Sequence, residues 1–265
     1  MSERVEIPLE IKRKKEPSST SKIPKLIIQT YKNNKIDPKI RDDIFAMLDM
    51  NPEYNYMFVT DDSGRELIKN NFDANILGAF DKLKLGAAKA DFIRYCILYL
   101  FGGVYIDLDS KIKCDLKTFI KDEDEFIFLV DESPNVEQWI LFTRPRSVIY
   151  KHIITEMVKR IHSNEPHVWD TTGPKLINAI VYNIIMGTNH YYCDERDGIN
   201  GAQKRFVWNE NLRFMNGRLV YGEKGDVKGP LFAFNAYDTR RMVYENPNEH
   251  YSYDASKPTE GLYKD

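Results

Sequence analysis

The chain has 265 residues, 42% hydrophobic and 12% aromatic, enough to bury a sizeable core and fitting one large globular α/β domain rather than a disordered or fibrous protein. A formal net charge of -2 and a pI near 6.3 give no general basic field, so nucleic acid is not an expected partner. Cys96, Cys114 and Cys193 offer no close pair, which argues against a disulfide framework or a zinc site and for a reducing compartment.

No run reaches the roughly 18 to 20 apolar residues of a membrane span, and the polar first residues lack a signal-type apolar core. A soluble, cytoplasmic chain with no integral membrane segment, or one whose anchor has been removed, is expected. Residues 1–21 mix Lys12-Arg13-Lys14-Lys15 with Pro17-Ser18-Ser19-Thr20-Ser21 without a sustained period, and read as a flexible or surface-draped arm. The folded part starts at Ile23 to Tyr31, a short apolar strand ending in Gln29, Thr30 and Tyr31, the polar and aromatic end that open α/β sheets turn toward ligands. Asp37 to Met50 reads as a helix with Pro38 in its first turn, Tyr54 to Thr60 as a strand, and Asp61-Asp62-Ser63-Gly64 as a turn capping a helix from about Arg65.

The stretch from Ala87 to Asp109 reads as a buried helix, a glycine stop at Gly102-Gly103 and a strand. Asp91 and Arg94 lie three apart and share a helix face. Strict alternation from Val104 puts Tyr105, Asp107 and Asp109 on one strand face, with the two carboxylates about 6 to 7 Å apart. Two like charges there need a positive partner, and hard oxygen ligands suit magnesium or manganese completed by waters and phosphates. An ordinary strand-end turn is the competing reading. The second acidic triplet, Asp122-Glu123-Asp124, reads as solvated charge.

Further on, Glu125 to Val130 and Trp139 to Phe142 read as strands, with Asp131 and Glu132 at the mouth of the first, and Ser147 to His162 as an amphipathic helix. Thr171-Thr172-Gly173-Pro174 opens another helix, with Thr172 or Gly173 as its cap. Asn216-Gly217 reads as a hairpin turn between Leu212–Met215 and Arg218–Tyr221. Alternating strands and helices make this an α/β chain.

Ala90-Asp91-Phe92-Ile93-Arg94, the Gly102-Gly103 pair and Tyr105-Ile106-Asp107-Leu108-Asp109, in that order and spacing, resemble the nucleotide-sugar-binding core of DXD-containing glycosyltransferases. The likeness is strongest to the family 32 α-glycosyltransferases and more distant to the large clostridial glucosylating toxins. Ile23 to Tyr31 resembles that family's opening strand, although Ile28 and Tyr31 replace a usual His and Trp, and Thr172-Gly173-Pro174 matches its TGP segment.

The resemblance implies a GT-A type, Rossmann-like open mixed sheet flanked by helices in a single domain spanning 22–265, with residues from about 189 onward shaping the acceptor side and closing the metal site. It implies a retaining transfer of a hexose from a nucleotide-diphosphate sugar, UDP-sugar favoured over GDP-sugar, to a glycan, protein or other hydroxyl acceptor, with manganese or magnesium as cofactor. Asp91, Arg94, Asp107 and Asp109 would be catalytic, and Gln29, Thr30, Tyr31, Gly103, Tyr105, Thr172 and Gly173 would join them in binding the donor. Asp107 and Asp109 would ligate the metal with His250 as third ligand, Glu249 and Ser252 competing for that place. A metal-dependent phosphohydrolase acting on nucleotide sugars and a non-catalytic sugar-binding module are the readings from other classes.

Overall fold

The structure is a computed structural model and describes residues 3–13, 20–130, 135–186, 191–194, 203–207, 216–221, 232–233 and 258–264. Two short strands, β1 (Val5–Glu6) and β2 (Glu10–Ile11), precede the long strand β3 (Leu26–Tyr31). After β4 (Lys35–Ile36), α1 (Pro38–Met50) starts where the Asp37 carboxylate accepts from the Lys39 N–H and Pro38 has no N–H to satisfy. Then come β5 (Asn55–Thr60), α2 (Asp61–Asn71), α3 (Ala74–Lys82), α4 (Gly86–Phe101), β6 (Gly103–Ile106), β7 (Lys111–Ile112) and the single turn α5 (Leu116–Phe119). The remaining elements are β8 (Phe126–Val130), β9 (Val136–Thr143), α6 (Val148–His162), α7 (Val168–Thr171), α8 (Pro174–Met186), β10 (Tyr191–Asp194), β11 (Gln203–Val207), β12 (Asn216–Tyr221) and β13 (Phe232–Ala233).

Among the described residues nine strands form one mixed sheet in the order β10-β11-β12-β8-β9-β6-β3-β5-β2. β6, β3 and β5 run parallel, and β9 enters antiparallel against both β6 and β8. Side chains line up in rows across it. Ile27, Val104, Phe142 and Ile127 are register neighbours on one face, while Ile28, Tyr105, Leu141 and Phe128 form the adjacent row on the other. The first row packs into the core with Ile40, Ile44 and Leu48 of α1, and the second with Phe92, Tyr95 and Ile97 of α4 and Ile153 and Met157 of α6. The expected open mixed α/β sheet flanked by helices is therefore present as a single domain.

Gly102 and Gly103 have φ of +65° and +103°, and a Cβ on Gly103 would come within 2.5 Å of the Leu26 carbonyl oxygen. That close approach lets the chain leave α4 and enter the sheet directly beside β3.

Four expectations are corrected. Within the stretch expected as a flexible or surface-draped arm, residues 5–11 are built into the fold, since β1 pairs with β4, β2 with β5, and Ile7 is buried. Asp61 to Gly64 is no turn: Thr60 forms a reciprocal capping box with Ser63, and the helix begins at Asp61. Asp124 is buried rather than solvated, its carboxylate accepting from the Lys121 N–H. Asn216 and Gly217 lie within β12, opposite Val207 and Phe206 of β11, so the pairing partner comes from further upstream than a tight hairpin would give.

Candidate active site

Period-two alternation carries Tyr105 to the α4 side of the sheet and Asp107, two residues on, to the same side, where Arg94 waits. Arg94 Nη2 lies 3.1 Å from Asp107 Oδ1 and 3.1 Å from Asp91 Oδ1, so one guanidinium nitrogen bridges two carboxylates. Its Nη1 donates to the Gln138 carbonyl at 3.0 Å, and the guanidinium lies 4.6 Å above the Tyr105 ring. The Arg94 Nε–H, also buried, has no hydrogen-bond partner among the described residues.

The strand ends at Ile106. Asp107 to Ser110 is a turn closed by the Ser110 N–H on the Asp107 carbonyl at 3.0 Å, so Asp109 is placed by a turn and not by strand alternation. This corrects the expectation that one strand face carries both carboxylates, while leaving both in the same short turn at the carboxyl end of β6. Ser110 Oγ donates to Asp109 Oδ1 at 3.1 Å.

Asp107 is held from several directions. The Tyr105 hydroxyl donates to its Oδ1 at 2.6 Å and is itself 3.0 Å from Thr30 Oγ1. Gln29 Nε2 reaches the Asp107 carbonyl at 3.4 Å, and the Tyr56 hydroxyl donates to Gln29 Oε1 at 2.9 Å. Gln29 and Thr30 are buried, so their side chains brace the Asp107 turn instead of lying open to a nucleobase. Tyr31 is 9% exposed, with the Arg4 guanidinium 6.0 Å and the Lys32 ammonium 5.9 Å from its ring centroid.

Thr172 is fully buried and its hydroxyl donates to Asp91 Oδ2 at 2.9 Å. It therefore supports Asp91 from behind, a correction to the substrate-facing role expected of it. Gly173 is likewise structural: a Cβ there would meet the Trp169 Cα at 2.8 Å. Gly103 supplies backbone proximity to β3. His250, Glu249 and Ser252 lie outside the described residues. Gln138, Tyr56 and Tyr95 complete the buried polar network and were not anticipated from the sequence.

Burial pushes the carboxyl groups up. Asp91 rises to about 7 despite Arg94 and Thr172, and Asp109 rises to about 7 through burial and the charge of Asp107. Asp107 is raised as well, burial outweighing the opposing pull of Arg94 and Tyr105. Burial acts to lower Arg94, yet Asp107, Tyr105 and Asp91 hold it above its ordinary value. Two carboxylates thus share one guanidinium with a third, Asp109, beside them, and a fully ionised cluster would carry an excess of two negative charges.

That donor set fits a divalent cation. Its oxygens are hard, and Asp107 Oδ2 accepts no hydrogen bond among the described residues. Among the described residues no group of three or more His, Cys, Asp or Glu side chains is placed to hold a metal, so Asp107 and Asp109 would supply part of a shell and not the whole of it.

Residues 39–127, which contain this cluster, match the family profile of the glycosyltransferase sugar-binding region containing DXD motif. The chain is 38% identical over 92 residues to inositol phosphoceramide mannosyltransferase 3 of Schizosaccharomyces pombe, covering 35% of this chain and 26% of that protein. It is 41% identical over 94 residues to mannosyl phosphorylinositol ceramide synthase SUR1 of Saccharomyces cerevisiae, covering 36% and 24% respectively. An uncharacterized glycosyltransferase of Acanthamoeba polyphaga mimivirus is 32% identical over 133 residues, 49% of this chain and 52% of the other. The match therefore spans about a quarter of the two yeast proteins and about half of the viral one. In fold, the chain is similar to the PaToxG glycosyltransferase, with a TM-score of 0.51 and 15% identity over 62% of this chain and 70% of that one. In sequence across residues 39–127 this chain is similar to the sugar-binding region of DXD-containing glycosyltransferases, and in fold across 62% of its length it is similar to the PaToxG glycosyltransferase.

Proposed function

We propose that the chain transfers a hexose from a nucleotide-diphosphate sugar to a hydroxyl acceptor, with retention of configuration and with a divalent cation, manganese or magnesium, held by Asp107 and Asp109. The observation that carries this reading is the gathering of carboxylates at the carboxyl end of β6: Asp91 and Asp107 both pair with the Arg94 guanidinium, and Asp109 stands close enough to Asp107 for their charges to oppose each other. A cation bound there would neutralise charge growing on the diphosphate leaving group. Arg94 keeps Asp107 oriented and opposes the rise that burial imposes on its carboxyl, Tyr105 fixes the same carboxylate oxygen, and the turn closed by Ser110 keeps Asp109 beside it. The carboxyl ends of β3 and β5, where Tyr31 and Thr60 are register neighbours, would seat the nucleoside, as the carboxyl ends of strands do for ligands in open α/β sheets. Mannose stands first among the hexoses, since the yeast relatives are named as mannosyltransferases or a mannosyl synthase. A UDP- or GDP-sugar would serve as donor, and a glycan, protein or inositol-bearing lipid headgroup as acceptor.

Incubation with manganese and a panel of UDP- and GDP-sugars, reading the nucleotide released, tests the reading. Cation-dependent release of nucleoside diphosphate, accelerated by an added hydroxyl acceptor, is expected. Release of nucleoside monophosphate would establish a phosphohydrolase instead, and binding without release of any nucleotide would leave a sugar-binding module.

A further inference from the structure

Four buried residues close a ring around the Arg94 guanidinium. Gln138 Nε2 donates to the Thr172 carbonyl at 3.0 Å, and Thr172 Oγ1 donates to Asp91 Oδ2 at 2.9 Å. Asp91 Oδ1 pairs with Arg94 Nη2 at 3.1 Å, and Arg94 Nη1 returns to the Gln138 carbonyl at 3.0 Å. The ring draws on α4, β9 and the link between α7 and α8, and no member is more than 7% exposed. A guanidinium is a rigid planar fork, so pinning both terminal nitrogens fixes its plane. The direction in which Nη2 meets Asp107 Oδ1 is then set before any ligand arrives.

We propose that Gln138 is a positioning residue. Its amide, acting through Thr172, Asp91 and Arg94, sets the orientation of the Asp107 carboxylate and with it the cation affinity of the Asp107 and Asp109 pair. The orienting of Arg94 stands on the ring alone, while the effect on cation affinity rests on the proposed function. Gln138 spends its other N–H on the Tyr95 hydroxyl at 2.6 Å, a bond outside the ring.

Gln138→Met keeps the side-chain length and the backbone carbonyl but removes both N–H donors. In the free wild-type protein the Arg94 Nη–Hη protons are expected to give resolved, slowly exchanging NMR signals, and in Gln138→Met these collapse. Manganese affinity, read from the electron paramagnetic resonance signal of free Mn2+, falls in the variant by up to about tenfold, the lower end of what losing a direct hydrogen-bond partner of a metal ligand costs, because Gln138 acts on Asp107 only through Arg94. Tyr95→Phe, which leaves the ring whole, keeps both readouts at wild-type values. Should Gln138→Met fail to fold, Thr172→Val opens the ring at another bond and is expected to give the same pair of changes. Wild-type Arg94 signals in the opened ring would overturn the proposal, as would collapsed signals with undiminished manganese affinity. A wild-type protein that binds no manganese would overturn the cation function and the affinity half of this proposal, while the Arg94 signals still decide the ring.

Discussion

Asp107 is where the molecule concentrates its polar bonding: a guanidinium, a phenol, a side-chain amide and a backbone ladder contact, the Asp107 N–H donating to the Trp139 carbonyl at 2.8 Å, all converge on one residue. Arg94 is the member whose loss should cost most, because it leaves two desolvated carboxylates facing each other. Arg94→Met is expected to lower the unfolding free energy by about 3 kcal/mol, as for a buried ion pair that loses one partner. Urea denaturation measures this, and a loss under 1 kcal/mol would mean that Asp91 and Asp107 are not stabilised by that pairing. At this scale much of the site was legible: the spacing of Asp91 and Arg94 and the alternation from Tyr105 to Asp107 both translate directly into contacts. Gln138 was not legible, for a physical reason. The register between β8 and β9 shifts between Phe128 and Val130, so simple alternation back from Ile140 assigns Gln138 to the α1 face, whereas its amide meets Tyr95 on the α4 face. Thr172 was readable as a motif but not as a role, since nothing in its neighbourhood in sequence tells that its hydroxyl faces Asp91, 81 positions away.

Elements position this network through close backbone contacts. The junction from α4 to β6 needs two residues at positive φ, and at Gly103 the space beyond the missing side chain is occupied by β3. Gly103→Ala combines an unfavourable backbone conformation with a clash against the Leu26 carbonyl, and is expected to destabilise by at least about 2 kcal/mol. Equilibrium unfolding decides it, and a change within 0.5 kcal/mol, about the range of a neutral surface substitution, would show that β6 can shift at no cost. The glycine pair announced this junction in the sequence. The start of α2 was misplaced because Asp61, Asp62 and Ser63 resemble turn residues when read alone, yet Thr60 before them supplies the cap and Ser63 the reciprocal bond. The residues around Asp124 misled for the opposite reason: a run of acids looks solvated, but Asp124 bonds its own turn, and the adjacent Glu125 is buried between Lys22 and Arg144 at 2.6 and 2.7 Å.

The whole molecule adds a clasp that no local pattern reveals. Residues 258–264 run across the corner between α3 and α4: Leu83 pairs with Tyr263, the Lys84 N–H donates to the Leu262 carbonyl at 2.9 Å, and the Lys264 N–H to that of Lys82 at 2.9 Å. The same segment reaches the start of α7, where the Val168 N–H donates to Thr259 Oγ1 at 3.1 Å and the Tyr263 hydroxyl to the Glu165 carbonyl at 2.8 Å. Leu262 is 2% exposed and belongs to the core that contains α4 and α6. Leu262→Ala is expected to cost about 3 kcal/mol, the usual loss for a leucine truncated in a packed core, seen as a lower midpoint in urea at unchanged slope. A midpoint equal to that of the wild type would mean the segment only rests on the surface. Strand and helix alternation made the class of fold legible from the chain alone. The antiparallel entry of β9 and the pairing of β12 with β8 were not, because they join segments far apart in sequence. No helix among the described residues is long and apolar enough to cross a membrane.

The account depends on a cation shared between the Asp107 to Asp109 turn and the diphosphate of a donor, and thermal unfolding followed with and without each component tests that most directly. A ligand that binds only the folded form raises its melting temperature. UDP or GDP together with manganese is expected to raise the melting temperature of the wild-type protein, neither doing so to the same extent alone, and Asp109→Asn, folded and unliganded, is expected to lose the joint effect. An equal rise with nucleotide in the presence of a chelator, or an undiminished joint rise in Asp109→Asn, would contradict it.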